Sequence, residues 1–78
     1  MNYQNILKIA EKKIGSEYEY IITDIKECIA SGSTGGEISC MVGKYLKDLK
    51  IKKNQAYSIL EKDIEIYLLE CKKHGLHI

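Results

Sequence analysis

Apolar residues recur at three- and four-residue spacing along four successive stretches of this chain, with glycines between the stretches and no proline anywhere. Spacing near 3.6 residues places such side chains on one stripe of a helix, and glycine is where a helix most readily stops. The pattern therefore predicts an all-α fold, a compact four-helix bundle with helices over about residues 3–14, 17–31, 35–50 and 55–74.

The first stretch carries Tyr3, Ile6, Leu7, Ala10 and Ile14 on one side and Lys8, Glu11 and Lys12 on the other. Gly15 is placed to end it in the left-handed conformation, with Lys12 and Lys13 suited to the negative end of the helix dipole. Ser16 followed by Glu19 has the form of a capping box, and Tyr18, Ile21, Ile22, Ile25, Cys28 and Ile29 form the second stripe, up to Gly32. Thr34 and Glu37 repeat the capping box ahead of Ile38, Met41, Val42, Tyr45, Leu46 and Leu49. Gly36, Cys40 and Gly43 on the same helix are small enough to let a neighbouring helix approach.

A polar link, Ile51 to Lys53, leads to Asn54 as the expected cap of the fourth helix, and Gly75 is its stop, with Leu76 folding back on the last turn. Its main stripe is Ala56, Tyr57, Leu60, Ile64, Tyr67, Leu68 and Cys71. Ile59, Ile66 and Leu69 fall off that stripe, so this helix is either the central, most buried one or has a face for another molecule, including a second copy.

Residues 1–78 suffice for a single helical domain whose core stabilises it by only a few kcal/mol, roughly 3 to 5. An apolar share of 45% with 29% charged residues suits a packed globule, and a net charge of +1 leaves electrostatic partners to be found in local patches. Apolar runs such as Tyr20-Ile21-Ile22 are far shorter than a spanning helix needs, and the start lacks the continuous apolar run of a signal peptide, which predicts a cytoplasmic protein with no membrane partner. Cys28, Cys40 and Cys71 are odd in number and without a C-x-x-C pair, so they read as reduced, small hydrophobes.

Three constellations invite a chemical reading. The turn Gly32-Ser33-Thr34-Gly35-Gly36-Glu37 opens a helix as phosphate loops do, yet Glu37 and Ile38 stand where a P-loop needs lysine and a hydroxyl, and capping accounts for the segment. Cys71, His74 and His77 have metal-ligand residue types, but Cys71 belongs to the core stripe and His77 lies beyond the helix stop, so no metal and no cofactor is expected. Neither histidine is positioned near a serine or cysteine nucleophile with an orienting acid, and the chain reads as non-catalytic.

Two surfaces remain. Lys44, Lys47, Lys50, Lys52 and Lys53 surround the junction of helices three and four, where Asn54 and Gln55 could read adenine edges in the manner of a helix-turn-helix regulator. Glu61, Asp63 and Glu65 on the would-be recognition helix oppose that use, which makes nucleic acid the less favoured partner. The second surface is on helix two, where Tyr20, Thr23, Asp24 and Glu27 share the side away from the stripe and Glu17 and Glu19 extend it. Tyrosine among carboxylates suits a cationic protein surface.

The size, the helical character and the stretch Ser31-Gly32-Ser33-Thr34-Gly35-Gly36-Glu37-Ile38 leading into an amphipathic helix resemble the small all-α immunity proteins of bacteria. That resemblance implies a protein that neutralises a toxin domain by covering its active or substrate-binding surface, often with acidic and tyrosine residues. The expectation is thus a protein-protein interaction module with Tyr20, Asp24, Glu27, Glu19 and Thr23 as contacts, and helix-turn-helix DNA binding as the alternative.

Overall fold

A computed structural model of the chain describes residues 2–52, 54–76 and 78. It is an all-α four-helix bundle: α1 (Tyr3–Lys13), α2 (Glu19–Ser31), α3 (Gly35–Ile51) and α4 (Tyr57–Lys73), with a single 3-10 turn, Ser16–Tyr18, between the first two. The short links make consecutive helices antiparallel, and α1 also packs on α4, so the chain closes into a ring with α2 and α4 at opposite corners. No helix among the described residues is long and apolar enough to cross a membrane.

The expected stripes meet in the middle. Ile6, Ala10 and Ile14 from the first stretch, Ile21 and Ile25 from α2, Val42, Leu46 and Leu49 from α3, and Ala56, Leu60, Ile64, Tyr67 and Cys71 from the last form the buried core. Tyr67 is the largest fully buried side chain, and its hydroxyl donates to the Ser39 carbonyl at 2.8 Å, so the phenol enters the core without an unpaired polar atom.

The helix ends show where local rules are overridden. α1 is capped by Asn2, whose side chain accepts from the Asn5 N–H at 2.9 Å. It ends one residue early: Ile14 leaves in extended conformation to bury its side chain, and Gly15 follows at φ −82°, not in the left-handed region expected of it. The Ser16 and Glu19 capping box does not form, because Ser16–Tyr18 winds into the 3-10 turn and α2 starts at Glu19 with no side-chain cap. Tyr18 is held in that turn by a tertiary contact, its hydroxyl donating to Gln55 Oε1 at 3.1 Å.

Thr34 does cap α3, accepting from the Glu37 N–H at 3.2 Å. Asn54 is not the N-cap of α4: its Oδ1 accepts from the Ala56 N–H at 2.8 Å, a tight turn that delays the helix to Tyr57. Gly75 stops α4 as expected, at φ +78°, and the Leu76 N–H returns to the Cys71 carbonyl at 3.0 Å while the Gly75 N–H reaches Lys72 at 3.1 Å. This paired geometry is the Schellman motif.

α4 is not the central helix. Ile59, Ile66 and Leu69 are 37%, 48% and 53% exposed, which sets aside the reading of α4 as the most buried helix. Of the two glycines on this side of α3, Gly43 admits the Ile78 side chain and not a helix, and Gly36 faces open space.

Candidate functional site

The outer side of α2 carries the candidate contacts. At 100° per residue, Glu19, Tyr20, Thr23 and Glu27 fall on one strip opposite the buried Ile21 and Ile25, and all four are exposed. Tyr20 is 47% exposed, yet its hydroxyl is fixed, accepting from Asn54 Nδ2 at 2.9 Å. Among the described residues neither Glu19 nor Glu27 takes part in an ion pair, whereas Lys26 on the far edge pairs with Glu11 at 3.6 Å. The strip therefore presents an aromatic ring between two uncompensated carboxylates.

Asp24 belongs to this group in sequence but turns to its edge. Half-buried, it accepts a 2.7 Å hydrogen bond from the Tyr45 hydroxyl of α3. Burial, this hydrogen bond and the Asp24 charge together push the Tyr45 phenol far above its ordinary range. Asp24, Glu27, Cys28, Ser31, Met41 and Tyr45 line a shallow depression of about 320 Å³ along the α2–α3 seam. Burial raises the Cys28 thiol, and the charges of Asp24 and Glu27 raise it further, so the field of the carboxylates is felt within the seam.

The residues of the alternative, DNA-reading constellation are drawn into the protein's own contacts. Both ends of the Asn54 amide are engaged, Oδ1 by Ala56 and Nδ2 by Tyr20, and Gln55 Oε1 accepts from Tyr18. Lys50 donates to Glu65 Oε1 at 2.7 Å, Lys52 pairs with Asp48 at 2.9 Å, and Lys47 donates to the Ile78 carbonyl at 2.9 Å. Glu65 also accepts from Tyr57 at 2.6 Å; Lys50 and Tyr57 hold its carboxyl below the usual range, while burial and Glu65 push Tyr57 up to about 12. Lys53 lies outside the described residues.

At the far end of α4 the His74 backbone N–H meets the Glu70 and Cys71 carbonyls, and the exposed ring sits 3.9 Å from Glu70 Oε2. Cys71 is 4% exposed, and burial raises its thiol. Among the described residues no three His, Cys, Asp or Glu side chains are grouped to hold a metal; His77 is outside them.

The hydrogen bonds that join Tyr18 and Tyr20 to Gln55 and Asn54 had no sequence signal, since they span 37 and 34 residues. No protein-family model, no curated protein and no solved structure matches the chain.

Proposed function

We propose that the chain is a non-catalytic protein-binding module, an immunity or inhibitor protein of the small bacterial kind, which occludes a toxin domain or another protein by docking the outer strip of α2. The observation that supports this most is Tyr20, a half-exposed ring whose hydroxyl is already held by Asn54 between two carboxylates without cations. Fixing a free side chain on binding costs roughly 0.5–1.5 kcal/mol, and a ring anchored beforehand avoids most of that. Glu19 and Glu27 supply the field that speeds encounter with a basic surface. Cys28 and Cys71 are both pushed toward the unreactive thiol form, which speaks against a thiolate nucleophile at either position.

The test is co-expression with the product of the gene immediately upstream. If that product is toxic, the chain should rescue growth and co-purify with it, and Tyr20→Ala with Glu27→Ala should abolish both. Asp24 is left in place there because it also holds Tyr45. Rescue by the double variant would remove the strip from the interface, and absence of both rescue and complex would defeat the reading. Salt-sensitive binding of duplex DNA at micromolar protein would replace it with the helix-turn-helix alternative.

A further inference from the structure

The outer side of α4 carries Ile59, Ile66 and Leu69 in solvent, with the exposed Lys62 standing among them. At 100° per residue these four fall within an arc of about 80°, turned away from the buried Leu60, Ile64 and Tyr67 of the same helix. We propose that this face pairs with the same face of a second copy of the chain, the two α4 helices running antiparallel about a two-fold axis. The pairing is independent of the α2 strip, since α2 and α4 occupy opposite corners of the bundle.

Spacing and charge select this occupant. Lys62 follows Ile59 by the same interval at which Leu69 follows Ile66, so the row reads alike in both directions. An isologous contact requires such self-complementarity. With the axis midway between Lys62 and Ile66, Ile59 of each copy meets Leu69 of the other, and the aliphatic stem of each Lys62 lies across the opposing Ile66.

The charges agree with the same register. Glu65 lies on the flank of α4 toward which Lys62 leans, immediately before Ile66, so the Lys62 ammonium of one copy arrives beside the Glu65 carboxylate of the other. Among the described residues Lys62 has no ion pair within its own chain. Glu65 takes both recorded hydrogen bonds, from Lys50 and Tyr57, on Oε1, which leaves Oε2 to accept from the second copy. A parallel pairing would set Lys62 on Lys62 and Glu65 on Glu65, and those like charges repel. One helix face is small against the roughly 1,200 Å² at which stable interfaces begin, so the dimer is weak and forms at high protein concentration.

Sedimentation equilibrium of the chain from about 10 μM to about 1 mM covers the range of so small an interface and should show monomer passing to dimer. Leu69→Lys, at an exposed position, should weaken the dimer at least about tenfold. Lys62→Glu and Glu65→Lys each create two like-charge contacts per dimer and should weaken it similarly, whereas their equimolar mixture restores both pairs and should associate as tightly as wild type. Circular dichroism checks the fold of each variant, and Leu69→Lys decides the interface if Glu65→Lys loses helicity. Ile59→Cys and Leu69→Cys, mixed and oxidised, should cross-link to one another in preference to themselves, as mass spectrometry of the joined peptides would read. A chain that stays monomeric at the highest concentration, or a dimer unmoved by Leu69→Lys, overturns the proposal. Preferred self-linking of Ile59→Cys overturns the antiparallel register. A dimer lost with Tyr20→Ala and kept with Leu69→Lys would place the contact on α2 and overturn it as well.

Discussion

The Tyr45 hydroxyl of α3 donates to Asp24 of α2 at 2.7 Å, joining the two helices through a half-buried polar contact. Tyr45→Phe would leave Asp24 without that donor and should cost about 1–2 kcal/mol, read as a lower urea midpoint with an unchanged slope. The phenol also sets an alkaline limit. Its pKa in the folded state lies above the ordinary value of 10.0, so the folded chain keeps a proton that the unfolded chain releases. Stability from this group is complete below pH 10 and declines as pH rises beyond it, by up to about 1.4 kcal/mol per unit. Unfolding free energies from pH 8 to 11 should fall more gently for Tyr45→Phe than for wild type; equal slopes would refute the assignment.

Asn54 serves two contacts at once, and Tyr20 only one. Asn54→Ala should therefore lower stability by about 1 kcal/mol, whereas Tyr20→Phe should stay within about 0.5 kcal/mol. Both variants free the ring at position 20, so both should weaken partner binding while differing in their denaturation midpoints. A stability loss that is equal in the two would show that the Ala56 contact contributes nothing.

Gly32 stands where it does for space. Its φ of −83° suits any residue, but a Cβ would meet the Ile38 side chain and stand 3.2 Å from the Ile38 nitrogen and Cα. Gly32→Ala should cost about 1–3 kcal/mol as the turn opens to admit the methyl group. Gly35 and Gly36, in the first turn of α3, face nothing within 4 Å. Alanine at either should be neutral or stabilising by up to about 1 kcal/mol, so thermal melts of the three variants should separate in sign.

Burial keeps Cys71 protonated, and Cys28 is held in the same form by burial and by Asp24 and Glu27. At pH 7.5 both should react with a disulfide reagent far more slowly than a free thiol. Cys71 should become reactive only through opening of the bundle, so its rate, followed by mass spectrometry, should rise with urea in step with global unfolding. Glu27→Gln should speed modification at Cys28 and leave Cys71 unchanged.

The sequence made the helices legible because their stripes, such as Ile21, Ile25 and Cys28, depend only on spacing. What it obscured were places where a distant contact outweighs a local preference. Ser16 and Glu19 have the residue types of a capping box, but Tyr18 reaches across to Gln55 and the segment winds into a tighter turn. Asn54 has the right type for a cap, yet its side chain closes a turn at Ala56 and the helix starts later. The α2 strip was readable from periodicity, since Glu19, Tyr20, Thr23 and Glu27 share a face by spacing alone. The inward turn of Asp24 was not, because it is set by Tyr45, 21 residues away. Likewise Gly43 could be read as a point of close approach, but nothing local identifies its neighbour as Ile78.

Antiparallel closure of α4 on α1 has a practical consequence for anyone who joins this chain to another. Asn2 and Asn5 share the lining of one depression with His74 and Leu76, so the start of α1 and the end of α4 lie at the same end of the bundle. The other end, where Tyr18 and Tyr20 meet Gln55 and Asn54, lies away from both. A short linker between the two neighbouring ends, with new termini opened in the 52–56 link, should give a circular permutant in which all four helices keep their places.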